Sequence, residues 1–345
     1  MLSKTVPGQL LILLLVGMLA SVHSSDSVSV CDLNADGRVD MKDLAFVARH
    51  FGSRVLGGRA DLNKDGVVDM QDITMVALHF GMTGLNPGRL KVLVGWRSSP
   101  YGLEQEAEPA YWVSVARNMT SEISNSIPGG VWVLGEAVDN KCRLTFNSSA
   151  AYSNIVFSKT DENEEYLDAF DAAGLKVWLQ VEPAEANVET LIDIVLERYC
   201  HHPCVAGFGV DVEWLEEGRY SEGRPVTNEE AQKWVDKVTA YNPSYKLFLK
   251  HWLIDRMPTT HLANMVFVDD SQEFHSMDGL VNEFRRWGTC FSSSDVYFQI
   301  GYASDREWWS ELENPYTTIA VRLLNEIPNC NGVYWTDETL NTITW

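Results

Sequence analysis

Basic residues are scarce in this chain. Its 27 Lys and Arg stand against 48 Asp and Glu, a formal charge of −21. A polyanion would be repelled by such a surface rather than gripped through released counterions, which excludes a nucleic-acid partner. Long apolar runs are missing too, apart from the start. There MLSKTVPGQLLILLLVGMLASVHSS has one Lys, an uncharged apolar run from Leu10 to Val22, and then small residues. That is the layout of a secretory signal peptide over residues 1–25, with cleavage expected near Ser24. No later stretch approaches the roughly 18 apolar residues of a spanning helix. A secreted protein with no membrane span after cleavage is expected.

Standard zinc patterns are absent as well. The run CHHPC, Cys200 to Cys204, has two histidines between its cysteines, but no second ligand pair sits elsewhere in the sequence. A local disulfide or buried thiols are expected there. Cys290 and Cys330 each precede a strand-like run and could meet at one end of a barrel, since an oxidising compartment permits disulfides. No glycine-rich phosphate loop follows the first β-rich run either, so nucleotide binding has little support.

What is present begins with a repeat. DLNADGRVDMKDLAFVARHFG from Asp32 and DLNKDGVVDMQDITMVALHFG from Asp61 agree at 14 of 21 positions, at an offset of 29. Each opens D-x-N-x-D-G-x-x-D-x-x-D. Oxygen ligands at positions 1, 3, 5, 9 and 12, with Gly at 6 for the sharp turn, are what a calcium loop needs. The first set is Asp32, Asn34, Asp36, Asp40 and Asp43. The second is Asp61, Asn63, Asp65, Asp69 and Asp72. Two Ca²⁺ sites are expected. Each loop runs into one helix, with Leu44, Phe46, Val47 and Phe51 as apolar positions in the first and Ile73, Met75, Val76 and Phe80 in the second.

Over about residues 30–84 this pattern resembles the type I dockerins, which share the duplicated loop–helix with Asp at position 12. The resemblance implies a small all-α domain that folds on Ca²⁺ and docks to a cohesin-bearing scaffold protein. It further implies that partner choice rests on loop positions 10 and 11, here Met41 and Lys42, then Met70 and Gln71. The near-symmetry of the copies would let either helix face the partner. The module lies near the N-terminus, whereas dockerins more often lie at the C-terminus.

After a Gly/Pro/Asn-containing stretch that supplies a linker at 85–89, residues 90–345 alternate apolar β-rich runs with helical patterns. The runs are LKVLVGW, GGVWVLGEA, GLKVWLQVEP, VAGFGVDVEW, YKLFLKHW, MVFVDD, VYFQIGY and NGVYWTDE. Eight units of this size predict an α/β fold, a (β/α)₈ TIM barrel. An open doubly wound sheet is the alternative. The fifth link, IDRMPTTHLAN, is a weak helix at best.

In such barrels the chemistry sits at the C-terminal strand ends. Nearly every run here ends in polar or aromatic residues. Trp96, Gln180, Trp252, Gln299, Tyr302 and Trp335 are expected to bind substrate, because aromatic faces stack on sugars and amides bond hydroxyls. Asp211 and Glu213, two apart on an apolar strand, are expected to share one face. Glu213, in a partly apolar mouth beside a like charge, should then have a raised pKa suited to a general acid. Glu182 or Asp270 would serve as nucleophile or base across the barrel. A secreted enzyme hydrolysing a polysaccharide or glycan is the leading expectation. A barrel that binds glycan without hydrolysing it, and a hydrolase of another class, are the alternatives. A buried ion network of Asp211 and Glu213 with Lys250, His251 or Arg97 is the structural alternative.

The D-x-E ending is similar to the end of the D-x-x-D-x-D-x-E signature of family 18 glycoside hydrolases. That resemblance implies Glu213 as the acid and Asp211 as the residue orienting a substrate acetamido group. It also implies Trp335 as the floor of the sugar site, with Gln299 or Tyr302 holding the acetamido group. Gly209 and Ala206 stand where the signature has its two earlier Asp residues.

Overall fold

The computed structural model describes residues 31, 33–34, 39–54, 59–80, 91–99, 102, 107–123, 125–220, 222–260 and 263–343. Residues 1–30 and the linker therefore lie outside the described residues, as do Asp32 and Asp36. The chain divides into two compact units after Arg89.

In the first unit, α1 (Met41–Arg49) and α2 (Met70–Leu78) start at the ends of the two acidic loops. Both begin with a reciprocal cap. The Asp40 side chain takes backbone N–H groups of the first turn while Asp43 reaches back to the Asp40 N–H, and Asp69 and Asp72 repeat this. The position-12 acid thus satisfies donors that a helix start leaves orphaned. Cys31, Leu33, Val39, Val47, Ala60, Leu62, Val68 and Val76 form the core, with Leu44, Phe46, Ile73 and Met75 packed against it. Phe51 and Phe80 stay about half exposed, at 52% and 48%.

The second unit is a closed barrel. Its strands are β1 (Val92–Ser98), β2 (Ser126–Val138), β5 (Lys176–Val181), β6 (Val205–Asp211), β7 (Lys246–Lys250), β8 (Met265–Asp269), β9 (Asp295–Ile300) and β10 (Cys330–Thr336). All eight pair in parallel, and β1 closes the ring by pairing with both β2 and β10. The long β2 also carries an antiparallel extension, β3 (Lys141–Leu144), followed by β4 (Ile155–Phe157). The crossovers are α3 (Pro109–Ser121), α4 (Glu164–Ala173), α5 (Val188–Tyr199), α6 (Asn228–Tyr241), α7 (Met277–Cys290), the short α8 (Arg306–Trp309) and α9 (Pro315–Glu326); α10 (Asp337–Leu340) follows β10. Between β7 and β8 the described residues form only a 3₁₀ turn, Ile254–Arg256. That is where the sequence pattern was weakest.

Register separates the two faces of the strands. Inside the ring, Leu93, Val131, Val133, Trp178, Phe248, Val266, Val268, Tyr297 and Tyr334 pack together. The Trp178 indole N–H donates to the Tyr334 hydroxyl at 2.9 Å, so this layer hides its polar atoms from the surrounding apolar side chains. Alternation along the strands then puts Arg97, Gln180, Glu182, Asp211, Lys250, Asp270 and Gln299 above it, at the C-terminal end. Residues of the other parity face the helices. Trp96 is fully buried there, its N–H donating to the Trp112 carbonyl at 2.9 Å and its ring packed on Trp112, Trp132 and Phe170. Trp335 is likewise buried, donating to Thr339 at 2.7 Å and packing on Trp309 and Tyr316. Gly301, at φ +87°, lies under the Trp335 indole, where a Cβ would come within 2.1 Å.

The six cysteines are unbridged. Cys290 is exposed at the end of α7 while Cys330 is buried at the start of β10, so the expected pairing of these two is not formed. Trp96→Ala should cost about 3–5 kcal/mol of barrel stability in denaturant unfolding, because it empties a buried indole's volume. A loss within experimental error would contradict its place in the outer core.

Candidate functional site

The mouth is organised by one cation. The Lys250 side chain, at the end of β7, is 3% exposed, and its Nζ lies 2.9 Å from Asp211 Oδ2, 3.1 Å from Glu213 Oε2 and 2.5 Å from Asp270 Oδ2. The register that sets Asp211 opposite Lys250 brings the first pair together. Asp270 arrives from the residue after β8. Glu213 arrives from a 3₁₀ turn, Val212–Trp214, because β6 ends at Asp211. The expected strand continuation through Glu213 is therefore corrected: the chain turns, yet the two acids still converge on the same ammonium.

A second cation stands beside the first. Arg97 Nη2 lies 3.8 Å from Asp211 Oδ2 and 3.9 Å from Glu182 Oε1. Glu182 also accepts the Ala137 N–H at 3.0 Å, and Gln180 donates to Asp211 Oδ2 at 3.1 Å. Four carboxylates thus share two cations. The side chains of Asp211 and Glu182 are fully buried and that of Asp270 is 5% exposed, whereas Glu213 is 28% exposed. Among the four acids Glu213 is the most exposed.

Desolvation acts strongly on Asp211, which is fully buried. Burial pushes the Asp211 carboxyl up to about 8; Lys250 pulls it down, Glu213 and Asp270 push it up, and Arg97 pulls it down again. The sign follows from burial, which the two cations do not offset because neighbouring acids push the other way. Burial alone would lower the Lys250 pKa, but Asp211, Asp270 and Glu213 together raise it well above the ordinary lysine value. His251 is held neutral by burial. Its Nδ1 accepts the Leu253 N–H at 2.9 Å, so Nε2 carries the hydrogen and donates to the Glu222 carbonyl at 2.9 Å.

The other expected contacts divide. Gln299 is buried in the ring and donates to the Tyr302 hydroxyl at 2.8 Å. Trp252, half-buried, packs its ring on His251. Trp96 and Trp335 do not line the mouth: the parity that turns Arg97 and Thr336 inward turns both indoles toward the helices. A neighbouring groove of about 510 Å³, lined by Ser98, Trp132, Glu136, Tyr166 and Asp337 among others, offers aromatic surface instead. Trp132 and Tyr166 pack at 4.7 Å, and Arg143 from β3 pairs with Glu136. Sequence reasoning missed this wall because Trp132 lies inside an apolar run and β3 is only four residues long.

In the first unit the oxygen donors of the second loop gather as a calcium loop requires. Asp61 accepts from the Asp65 and Gly66 N–H groups at 3.1 and 2.9 Å, Asn63 from Asp65 at 3.0 Å, and Asp65 from Val67 at 2.9 Å. Gly66 takes φ +88° at the turn. Asp72 is fully buried among these acids with no basic group bonded to it among the described residues, an arrangement that fits a bound divalent cation. Asp43 repeats its contacts through the Leu33, Asn34 and Asp40 N–H groups.

Comparison with known proteins agrees with this division. Residues 30–80 match the dockerin type I domain, and domains of that type bind calcium generally. No curated protein matches the chain. Several solved structures are similar in fold. A Pyrococcus horikoshii endocellulase complexed with cellotetraose has 11% identity, covers 73% of this chain and 85% of its own, with a TM-score of 0.43. A Parabacteroides merdae β-glucuronidase has 10% identity over 75% of this chain and 32% of its own, at 0.39. A Xanthomonas albilineans dihydropteroate synthase has 10% identity over 75% and 91%, at 0.37.

Two outcomes test the site. Lys250→Met should destabilise the barrel by about 3–5 kcal/mol near neutral pH, because it strands buried carboxylates; a neutral effect would contradict the network. Folded chains also keep a proton at Asp211 that unfolded chains release above about pH 4. That contribution to stability is full below this pH and is lost as pH rises through the folded value of about 8. Denaturation midpoints should therefore fall from about pH 4 to about pH 8 and level off above that, and Asp211→Asn should flatten the slope. An unchanged slope would show that the proton sits elsewhere.

Proposed function

We propose that this chain is a secreted glycoside hydrolase that docks to a cohesin-bearing scaffold through its calcium-loaded dockerin module. The observation that carries the enzymatic part is the placement of Glu213 and Asp270 on one ammonium at an open barrel mouth. Bonds of 3.1 and 2.5 Å to the same nitrogen keep one oxygen of each carboxylate near the other, which favours a close pair over the roughly 6.5–9.5 Å of inverting glycosidases. They suit the retaining separation of roughly 5–5.5 Å. In this reading Glu213, the accessible acid, gives its proton to the leaving glycosidic oxygen while an Asp270 oxygen attacks the anomeric carbon. Water then cleaves the glycosyl ester, with Glu213 taking the proton back. Lys250 orients both carboxylates. Arg97 and Gln180 hold Asp211, and the groove along Trp132 and Tyr166 extends the sugar-binding surface.

A family 18-like route, with Asp211 steering a substrate acetamido group, is less well supported. Asp211 is fully buried between Lys250, Arg97 and Gln180, and Trp335 does not floor the mouth. Phe248 also occupies the space beside Gly209, where a Cβ would meet its ring at 2.1 Å, leaving no room for the signature's acid. A glycan-binding barrel without hydrolysis draws support from the same ion pairing, since acids satisfied by Lys250 need no substrate to be stable.

Docking draws support from the repeat itself. Met41 and Met70, at the same position of the two copies, are 66% and 60% exposed, as are Phe51 and Phe80 to a lesser degree. Apolar side chains presented this way suit a protein partner. Asp32, Asn34, Asp36, Asp40 and Asp43 would hold one Ca²⁺, and Asp61, Asn63, Asp65, Asp69 and Asp72 a second. The ions neutralise the crowded acids and so set the loops that start both helices.

Glu213→Gln should lower hydrolysis of a cleaved glycan by about 10²–10⁴-fold while leaving its binding intact. Hydrolysis unaffected by this change, or absent from wild type across a glycan panel, would favour the binding reading. Chelation with EGTA should abolish cohesin binding and reduce the far-UV helical signal of the module, both restored by Ca²⁺. Retention of cohesin binding in EGTA would refute calcium-dependent docking.

A further inference from the structure

The histidine pair of CHHPC lacks a ligand partner in the sequence, but the fold supplies one. Glu164, in the first turn of α4, places Oε1 3.4 Å from His201 Nε2 and 3.4 Å from His202 Nε2. The three donor atoms all lie within 4.8 Å of one another. Donors about 2.0–2.1 Å from a tetrahedral zinc ion stand roughly 3.3–3.4 Å apart, which matches both Glu164 distances.

The protonation pattern fits as well. The His202 side chain is 2% exposed, and its Nδ1 lies 2.7 Å from Asp171 Oδ2. Asp171 Oδ1 accepts the Cys204 N–H at 2.6 Å. With Asp171 as acceptor through its other oxygen, Nδ1 carries the N–H, which leaves Nε2 with its lone pair facing His201 and Glu164. That Nε2 is buried and makes no hydrogen bond. A metal-bound histidine is commonly oriented by a carboxylate on its other nitrogen, as Asp171 is placed to do.

We propose that Glu164, His201 and His202 form a zinc site, with Asp171 as the positioning residue. The side chains of His201 and Glu164 are 57% and 46% exposed, so the fourth position opens to solvent and a water ligand completes the tetrahedron. The site precedes β6 in the chain and ties α4 to the turn after α5. Its role is to brace the barrel, independent of the carboxylates around Lys250. The neighbouring trio of Asp171, His202 and Cys204 is the poorer set: both Asp171 oxygens are engaged, by His202 and the Cys204 N–H, and the Cys204 thiol faces the Leu167 carbonyl.

The test uses the full chain, free of any affinity tag and with saturating Ca²⁺ to occupy the acidic loops. Isothermal titration with Zn²⁺ should show one ion bound per chain, with a rise in the barrel's melting temperature. Co²⁺ in its place should give the intense visible band of a tetrahedral site. The exposed substitutions Glu164→Gln and His201→Ala should each weaken Zn²⁺ binding at least about tenfold and remove the thermal shift, without altering the melting temperature of the zinc-free protein. Absence of Zn²⁺ binding to wild type, or binding of equal affinity in both variants, would overturn the assignment.

Discussion

The barrel depends on a lysine that cannot leave its place. Lys250 is buried at the end of β7 with three carboxylates bonded to its ammonium, and removal of either sign of charge strands the other in a medium that solvates neither. Such a cluster is a costly way to fill a barrel compared with apolar side chains. Here it lies directly above a layer that is filled in the ordinary way, by Trp178, Phe248, Tyr297 and Tyr334. The change from apolar to ionic packing over one pair of residues per strand sets the mouth apart from the packed layer below it.

The same cluster links distant parts of the chain. Asp211, Glu213, Lys250 and Asp270 come from the ends of three consecutive strands, and Arg97 joins them to Glu182 across the point where the ring closes. Parallel register fixes these partners, because a slip by one residue would turn every acid toward the helices. Charge in the mouth and apolar packing behind it are thus set by one constraint. The dockerin module solves a related problem differently: among the described residues Asp43 and Asp72 are buried against backbone N–H groups, and their reciprocal caps place them where a divalent cation can balance the charge.

Much of this was legible in the sequence. The eight apolar runs marked the barrel strands, the weak fifth link is the one without an α-helix among the described residues, and the repeated D-x-N-x-D-G spacing marked the loop–helix module. Parity was not legible. Trp96 and Arg97 are neighbours, one facing the helices and one the mouth, and composition alone gives no reason to choose between them. Trp335 was misplaced for the same cause. The end of β6 at Asp211 was hidden because Val212 and Trp214 continue the apolar alternation. The β3–β4 extension and the approach of Glu164 to His201 and His202 are products of tertiary packing, with no local pattern to announce them.

The most direct test of the account is the crystal structure of the calcium-loaded protein with an oligosaccharide in the barrel mouth. The account predicts a glycosidic oxygen within hydrogen-bond reach of Glu213, with an Asp270 oxygen facing the adjoining anomeric carbon and Lys250 still bonded to both acids. A glycan seated in the mouth with no glycosidic oxygen near any carboxylate bonded to Lys250 would contradict it.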